Sequence, residues 1–172
     1  MMKRTYIVLL LLCTALLSSC KPGLRPIMYS NDKNITNDRV EHVLEAVVNK
    51  DTDALKKVFS KKALSEIIDF DDMAEHLFDF FEGNIESWER DGFSSDGKIE
   101  YGKRYYLYRY GYNNTTDIDK YVFFFMDYVI DTFDKDNEGL YMLEVNKKNY
   151  RMKYDSWQER MKAGIYIYQK EK

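Results

Sequence analysis

Side chains that could transfer a proton are scarce in this chain of 172 residues. His42 and His76 are its only histidines, and neither has the paired ligands that a zinc site needs. Asp127 interrupts a run of aromatic and aliphatic residues, where a general base of an isomerase-like enzyme would stand. Asp127 and His76 are therefore the candidates for acid–base chemistry, with a tyrosine as oxyanion partner.

The spacing of these residues favours structural roles instead. Alternate positions of the run form an apolar set, namely Val122, Phe124, Met126, Tyr128 and Ile130. Asp127 is thus predicted to point away from the core, together with Asp131. Helical spacing predicts that His42 faces solvent and that His76 borders an apolar stripe, where it could line a pocket. We expect no cofactor and no metal site.

An acidic turn offers the one metal-like motif. Asp134, Asp136, Glu138 and Gly139 follow the first half of a calcium-binding loop, in which oxygen ligands alternate and glycine permits a sharp turn. The twelfth position is Val145 rather than a bidentate glutamate, and a strand follows rather than a helix. A tight acidic turn is the interpretation that fits the whole segment.

Tyrosine is the most unusual feature of the composition, with 15 residues in a chain that is 16% aromatic. Tyr106, Tyr108, Tyr110 and Tyr112 share one face of a predicted strand. Buried phenols need hydrogen-bond partners, so such a row suits a partly wet surface as well as a tyrosine-rich core. We expect two of the four to be core and two exposed. The candidate ligand-binding residues are Tyr106, Tyr108, Tyr128, Trp88 and Arg109.

The N-terminus has the pattern of a secretion signal. Lys3 and Arg4 precede an apolar run at 7–17, which is shorter than the roughly 20 residues that cross a membrane. The sequence Leu-Ser-Ser-Cys at 17–20 resembles the bacterial lipobox. That resemblance implies that residues 1–19 are removed and that Cys20 carries a diacylglyceryl group and fatty acids such as palmitate. It would anchor the protein on the extracytoplasmic face of the cell membrane; a plain signal peptide is the alternative.

Processing would also change the thiols and the charge. Cys13 leaves with the signal and acylation consumes Cys20, so no thiol remains for a disulfide, a nucleophile or a metal site. The net charge of −3 becomes more acidic when Lys3 and Arg4 are lost. We therefore predict no nucleic-acid partner, since such proteins present a basic face. The expected partners are the membrane, through the lipid, and an unknown small ligand or protein.

The positions of these residues depend on a predicted α+β domain at 38–172, which follows a polar, proline-containing tether at 20–37. Apolar residues at helical spacing predict a helix from Asp38, a second after Asp51, and a third from Asp71 or Asp72 that continues to Trp88. Strands are predicted at 105–112, 121–130, 140–145 and 165–168. The predicted fold has three N-terminal helices packed on a curved, cone-like antiparallel sheet.

Three short segments carry a resemblance to known families. Residues 49–60, NKDTDALKKVFS, resemble the helical opening of the nuclear transport factor 2-like (cystatin-like cone) superfamily. Residues 80–87, FFEGNIES, and 138–145, EGLYMLEV, resemble an uncharacterised family of Gram-positive lipoproteins, domain of unknown function 5104. The superfamily implies a cone-like α+β fold. It includes both isomerase-type enzymes and binding modules, so the fold does not decide the function.

Three functions are compatible with these features. The leading hypothesis is a lipid-anchored module that binds a small ligand or a protein without catalysis. The second is a cone-type isomerase or hydrolase-like enzyme that uses a buried Asp127 or His76. The third is a structural lipoprotein without a pocket.

Overall fold

The structure, a computed structural model, describes residues 31–148 and 162–168. Residues 1–30, with the predicted signal, Cys20 and most of the predicted tether, lie outside the described residues. The helices are α1 (Asp32–Val48), α2 (Thr52–Val58), α3 (Lys61–Glu66) and α4 (Phe70–Phe80). The strands are β1 (Ile85–Glu100), β2 (Lys103–Thr116), β3 (Lys120–Asp131), β4 (Gly139–Lys147) and β5 (Gly164–Tyr168). The chain divides into units of Met1–Lys33 and Asn34–Lys172, and the second unit contains these elements except for the first two residues of α1.

The first two predicted helices are present, and α3 is an addition to the prediction. In α1 the predicted apolar stripe is buried, with Val40 and Val43 fully enclosed. Asp51 caps α2 by accepting a hydrogen bond from the Ala54 amide at 2.8 Å. Ser60 caps α3 in the same way, by accepting a hydrogen bond from the Ala63 amide. Only Phe59 separates this cap from the end of α2, so α3 forms as a separate helix of six residues. None of the helices within residues 31–148 is both long enough and apolar enough to span a membrane.

Helix α1 begins at Asp32, so residues 32–37, which the sequence assigned to the tether, are helical. The segment lacks an apolar stripe, and its support is polar instead. Thr36 is fully buried, and its hydroxyl lies 3.0 Å from that of Tyr112. The Tyr112 hydroxyl also donates to the side-chain carbonyl of Asn37 at 2.6 Å. Hydrogen bonds to Tyr112 on strand β2 therefore stabilise this first part of α1. Helical periodicity in the sequence cannot predict such contacts, because it depends on neighbouring residues alone.

The third predicted helix ends at Phe80 and does not continue to Trp88. Phe81 is already extended, and Gly83 follows with φ +90°, a left-handed conformation in the turn to the next element; a Cβ at Gly83 would lie 2.4 Å from an Asp117 carboxylate oxygen. The Asn84 amide donates to the same carboxylate at 2.7 Å. Strand β1 starts directly after this turn, so Trp88 lies on a strand rather than on a helix.

The sheet confirms the α+β class. Its order is β1-β2-β3-β4-β5, and neighbouring strands from β1 to β4 are antiparallel. β5 pairs with β4 in parallel, which departs from the predicted all-antiparallel sheet. Ring contacts join the end of α4 to β3, with Phe81 4.7 Å from Tyr121 and 5.6 Å from Phe123. The largest enclosed aromatic side chains on this helix-facing side are Tyr110, Tyr112, Tyr121, Phe123 and Phe125.

Candidate functional site

A cleft of about 490 Å³ opens where α1 meets α2. That volume lies within the range of roughly 300–1,000 Å³ that is usual for small-molecule sites. One stripe of α1, the link and one side of α2 form its walls. The lining residues are Arg39, His42, Glu45, Ala46, Asn49, Asp51, Ala54, Lys57 and Val58.

Arg39 joins this cleft to the protein interior. Its Nε donates to one carboxylate oxygen of Asp127 at 2.8 Å, and its Nη2 donates to the other at 3.3 Å. Its Nη1 donates to the Val58 carbonyl at 3.2 Å. Val58 is the last residue of α2, so this carbonyl has no partner within the helix. Arg39 thereby connects α1, the end of α2 and strand β3.

Asp127 is fully buried at the inner end of this connection. The Tyr110 hydroxyl donates to its Oδ2 at 3.1 Å, beside the Arg39 contact. A register shift in the pairing of β3 with β4 falls between Met126 and Asp127. The carboxylate therefore has partners on both oxygens, which is the requirement for a charged group inside a protein.

The charges of this cluster support each other. Burial opposes the charge of Arg39, but Asp127 outweighs it and the pKa of the guanidinium is raised. Burial, reinforced by the Asp127 charge, raises the pKa of Tyr110 well above its ordinary value. Tyr110 thus stays a neutral donor at physiological pH, and Arg39 stays a cation. The arrangement holds the guanidinium in one orientation at the floor of the cleft.

The prediction that Asp127 points away from the core is wrong. Asp127 and Met126 do lie on opposite faces of the sheet, as the alternation requires. The face that carries Asp127 is, however, the one that the helices cover. Asp131, on the same predicted side, is also buried, at 4% exposure. Both faces of β3 are rich in apolar residues, and the alternation alone does not identify the better-covered one.

The expected division of the tyrosine row into core and exposed pairs is also wrong. Tyr106, Tyr108, Tyr110 and Tyr112 are 8%, 3%, 1% and 0% exposed. They share the helix-facing side, where Tyr110 stacks on Phe125 with ring centroids 4.9 Å apart. The row is core, because all four side chains are enclosed on this side of the sheet, and it presents no tyrosine surface to a partner.

The five ligand-binding candidates do not converge on one site. Tyr106 and Tyr108 lie in the core, and Trp88 packs against Tyr112 with ring centroids 5.5 Å apart. Tyr128 packs on the other side of the sheet, against the cluster of Leu107, Met126 and Met142. Arg109 alternates with Tyr108 and therefore shares that second side.

The two histidines differ in their surroundings. His42 is exposed, as predicted, and it lines the cleft between α1 and α2, which we call the Arg39 cleft. His76 is exposed on α4 and belongs neither to that cleft nor to the buried cluster. Acid–base chemistry at His76 therefore has no enclosed site around it.

The acidic segment at 134–139 folds as the expected tight turn. Asp131 and Asp134 accept hydrogen bonds from backbone amides, and Asp134 caps the short turn at Lys135–Asn137. Glu138 accepts from Lys135 at 2.7 Å, which lowers the pKa of that carboxyl. Across residues 31–148 and 162–168, no group of three or more histidine, cysteine or acidic side chains is arranged to hold a metal ion.

Arg39 is the functional residue that the sequence analysis missed. It directly precedes Val40, the first residue of the apolar stripe, at a position that spacing alone makes a solvent-facing one. The available signal was Asp127, because an acid within an apolar strand requires a cation or several donors nearby.

Comparison with known proteins gives a family and no activity. No curated protein matches the chain. The family model of a domain of unknown function, DUF5104, matches residues 42–154. This range covers α1 from His42 onward, the other three helices and the first four strands, and it leaves out Arg39. This match confirms the resemblance of residues 80–87 and 138–145 to domain of unknown function 5104, and the chain belongs to the DUF5104 family.

Proposed function

We propose that this protein is an extracytoplasmic lipoprotein, anchored through Cys20, whose domain binds a small molecule without catalysis. The proposed ligand carries both a carboxylate and an amine, and it binds in the Arg39 cleft. The site on the inner face of the sheet that the cone-like fold suggested is filled by enclosed aromatic side chains. The surface cleft between α1 and α2 is therefore the better candidate.

The observation that carries the proposal is the fixed guanidinium. Arg39 is 23% exposed, while its partner Asp127 is fully enclosed. Three of its five N–H groups are donated to Asp127 and Val58, and the guanidinium also interacts with the side chain of Tyr110. A carboxylate is the acceptor that a guanidinium binds best in a planar geometry. Because Asp127 already orients the group, a ligand would lose little entropy in fixing it.

The rim of the cleft favours a ligand with both charges. Lys57 adds a second cation, whereas Glu45 supplies an exposed acid that would repel a purely anionic ligand. An amine beside the ligand carboxylate would pair with Glu45 while the carboxylate meets Arg39 and Lys57. An amino acid or the end of a short peptide has this chemistry.

Calorimetric titration with the dipeptide Ala-Ala tests the proposal, with acetate and methylamine as single-charge controls. The dipeptide should bind more tightly than either control. Lys57→Met should weaken dipeptide binding about tenfold, the value of one charge-assisted hydrogen bond of about 1.5 kcal/mol. Lys50→Met is the matched control, since Lys50 pairs with Asp79 on the surface outside this cleft and should leave affinity unchanged. Equal binding of acetate and dipeptide, or equal effects of the two variants, would reject the proposed ligand.

The anchor is tested separately. Mass spectrometry of protein extracted from membranes should show a diacylglyceryl group on Cys20 and no residues before it. A Cys20→Ala protein that is processed and retained in the membrane like the wild type would rule out this anchor.

A cone-type enzyme remains the second candidate function, because Asp127 is a buried acid within hydrogen-bond reach of Tyr110. Both oxygens of Asp127 accept from Arg39, and Asp127 does not line the cleft. Proton transfer by Asp127 would require the ion pair to open. A turnover signal that Asp127→Asn abolishes while the fold and dipeptide binding persist would favour this enzyme over the binding module.

A further inference from the structure

The hairpin of β1 and β2 extends beyond the rest of the sheet. The pairing of β2 with β3 begins at Tyr105, opposite Asp131, and Arg104 bonds to Thr132 just beyond β3. Residues 99–103 continue past that edge. Tyr101 and Gly102 form the two-residue turn, with φ of +49° and +78°. Asparagine, aspartate and glycine are the usual residues at such positions, and a bulky side chain with positive φ is disfavoured. Tyr101 is nevertheless found there, 98% exposed.

The tip collects exposed apolar side chains. Six large hydrophobic residues are exposed among the described residues, and three of them are Ile99, Tyr101 and Phe133, at 61%, 98% and 40%. Phe133 is held beside the hairpin by its neighbour Thr132, which donates its amide to the Arg104 carbonyl at 2.8 Å. We call this group of three residues the apolar tip.

Basic side chains surround the apolar tip. The ammonium groups of Lys98 and Lys103 lie 6.0 and 5.9 Å from the centre of the Phe133 ring. Arg104 is a third, exposed cation. Glu100, the single acid between residues 98 and 104, forms an ion pair with Lys98, so Lys103 and Arg104 provide the excess positive charge of this segment. The chain as a whole has a net charge of −3, so this end of the hairpin is a local excess of positive charge on an acidic protein.

We propose that the apolar tip and its lysines dock on an anionic lipid surface. The proposal rests on the lipid anchor proposed above, which keeps the domain at a membrane. Tyrosine rings and lysine side chains suit the headgroup region, where an apolar body and a polar end are both satisfied. Anionic lipids attract nearby lysine and arginine, by about fivefold in the binding constant for each cation. The hairpin would act as a second contact that orients the domain.

A nitroxide label at the tip tests the docking in the mature protein, which begins at the acylated Cys20 and contains the whole domain. Acylation leaves no other thiol, so Glu100→Cys gives one labelling site beside an intact Tyr101. Ile68→Cys is the matched control, because Ile68 is 91% exposed in the link between α3 and α4. Collisions with oxygen and with a water-soluble nickel chelate report whether each label sits in lipid or in water. The vesicles are phosphatidylcholine alone or phosphatidylcholine with phosphatidylglycerol.

The expected result is a Glu100→Cys label shielded from nickel in the vesicles that contain phosphatidylglycerol and exposed in phosphatidylcholine. The Ile68→Cys label should be exposed in both. Adding Tyr101→Ser and Lys103→Ser to the Glu100→Cys protein should return its label to water without lowering the thermal midpoint.

Three results would overturn the proposal. A tip label exposed in both vesicle types would show that the hairpin does not dock on lipid. Equal shielding of both labels would show unspecific adsorption, and dipolar broadening between tip labels would identify a second copy of the chain as the occupant. Failure of the protein to float with the vesicles is a distinct result, which would reject the anchor itself and remove the basis of the docking.

Discussion

Replacing Arg39 with methionine should strongly destabilise the fold, although Arg39 is partly exposed. Methionine keeps the unbranched apolar stem of the side chain and removes the charge and the donors. The Asp127 carboxylate, which has no exposed surface, would lose its bonds of 2.8 and 3.3 Å and retain only Tyr110. The Val58 carbonyl at the end of α2 would lose its donor as well.

The expected loss is about 3 kcal/mol of unfolding free energy. Removing one partner of a buried ion pair costs roughly 3–5 kcal/mol, and the 23% exposure of Arg39 favours the lower end of that range. Total stabilities are about 5–15 kcal/mol, so the loss is readily measured.

Urea unfolding with linear extrapolation provides the measurement. Lys50→Met is the matched control, because Lys50 and Asp79 form a pair of 3.3 Å whose side chains are 63% and 79% exposed. Its loss should be below about 1 kcal/mol. The double variant Arg39→Met with Asp127→Leu should recover at least half of the loss, since no charge is then left buried.

Two outcomes would refute this reasoning. An Arg39→Met loss no larger than that of Lys50→Met would mean that the carboxylate is not confined as the structure indicates. A double variant as unstable as the sum of its single changes would mean that the two residues are not energetically coupled.

Three further changes have defined outcomes. Tyr108→Ser should cost about 3 kcal/mol or more in urea unfolding, because Tyr108 is buried, whereas Tyr101→Ser at the exposed turn should cost less than about 0.5 kcal/mol. The hydrogen bond from Lys147 lowers the pKa of Asp119. The stability that the ionised Asp119 adds is therefore present above an ordinary carboxyl pKa of about 4 and is lost as the pH falls through the lowered value. Asp119→Asn should show a smaller drop in thermal midpoint on acidification than the wild type. Burial raises the pKa of Tyr141 to about 12, so the stability it adds is lost as the pH rises above the ordinary tyrosine value of about 10. Tyr141→Phe should remove that part of the alkaline loss.

Local spacing in the sequence was enough to predict much of the fold. The stripe of α1 from Val40 onward and the runs of β2, β3 and β4 follow from helical and strand periodicity, which depends on neighbouring residues alone. The shared face of the tyrosine row is also correct, because side chains two residues apart on a strand always point the same way. The turn at 134–139 follows from its own residues.

The side of the sheet on which the helices pack was decided only in three dimensions. In β3, Phe123 and Phe125 face the helices while Phe124 and Met126 face away, and an alternation that is apolar on both sides does not distinguish them. The turn after α4 likewise depends on Gly83, whose left-handed conformation is matched to Asp117 in the distant turn between β2 and β3.

The candidate site depends most on the tertiary structure. Arg39 and Asp127 are 88 positions apart, and no local pattern in either segment refers to the other. Periodicity describes which residues share a face, whereas an ion pair requires two faces from separate elements to meet. The packing of α1 on β3 brings them together, and it turns an arginine of apparently exposed spacing into the floor of the cleft.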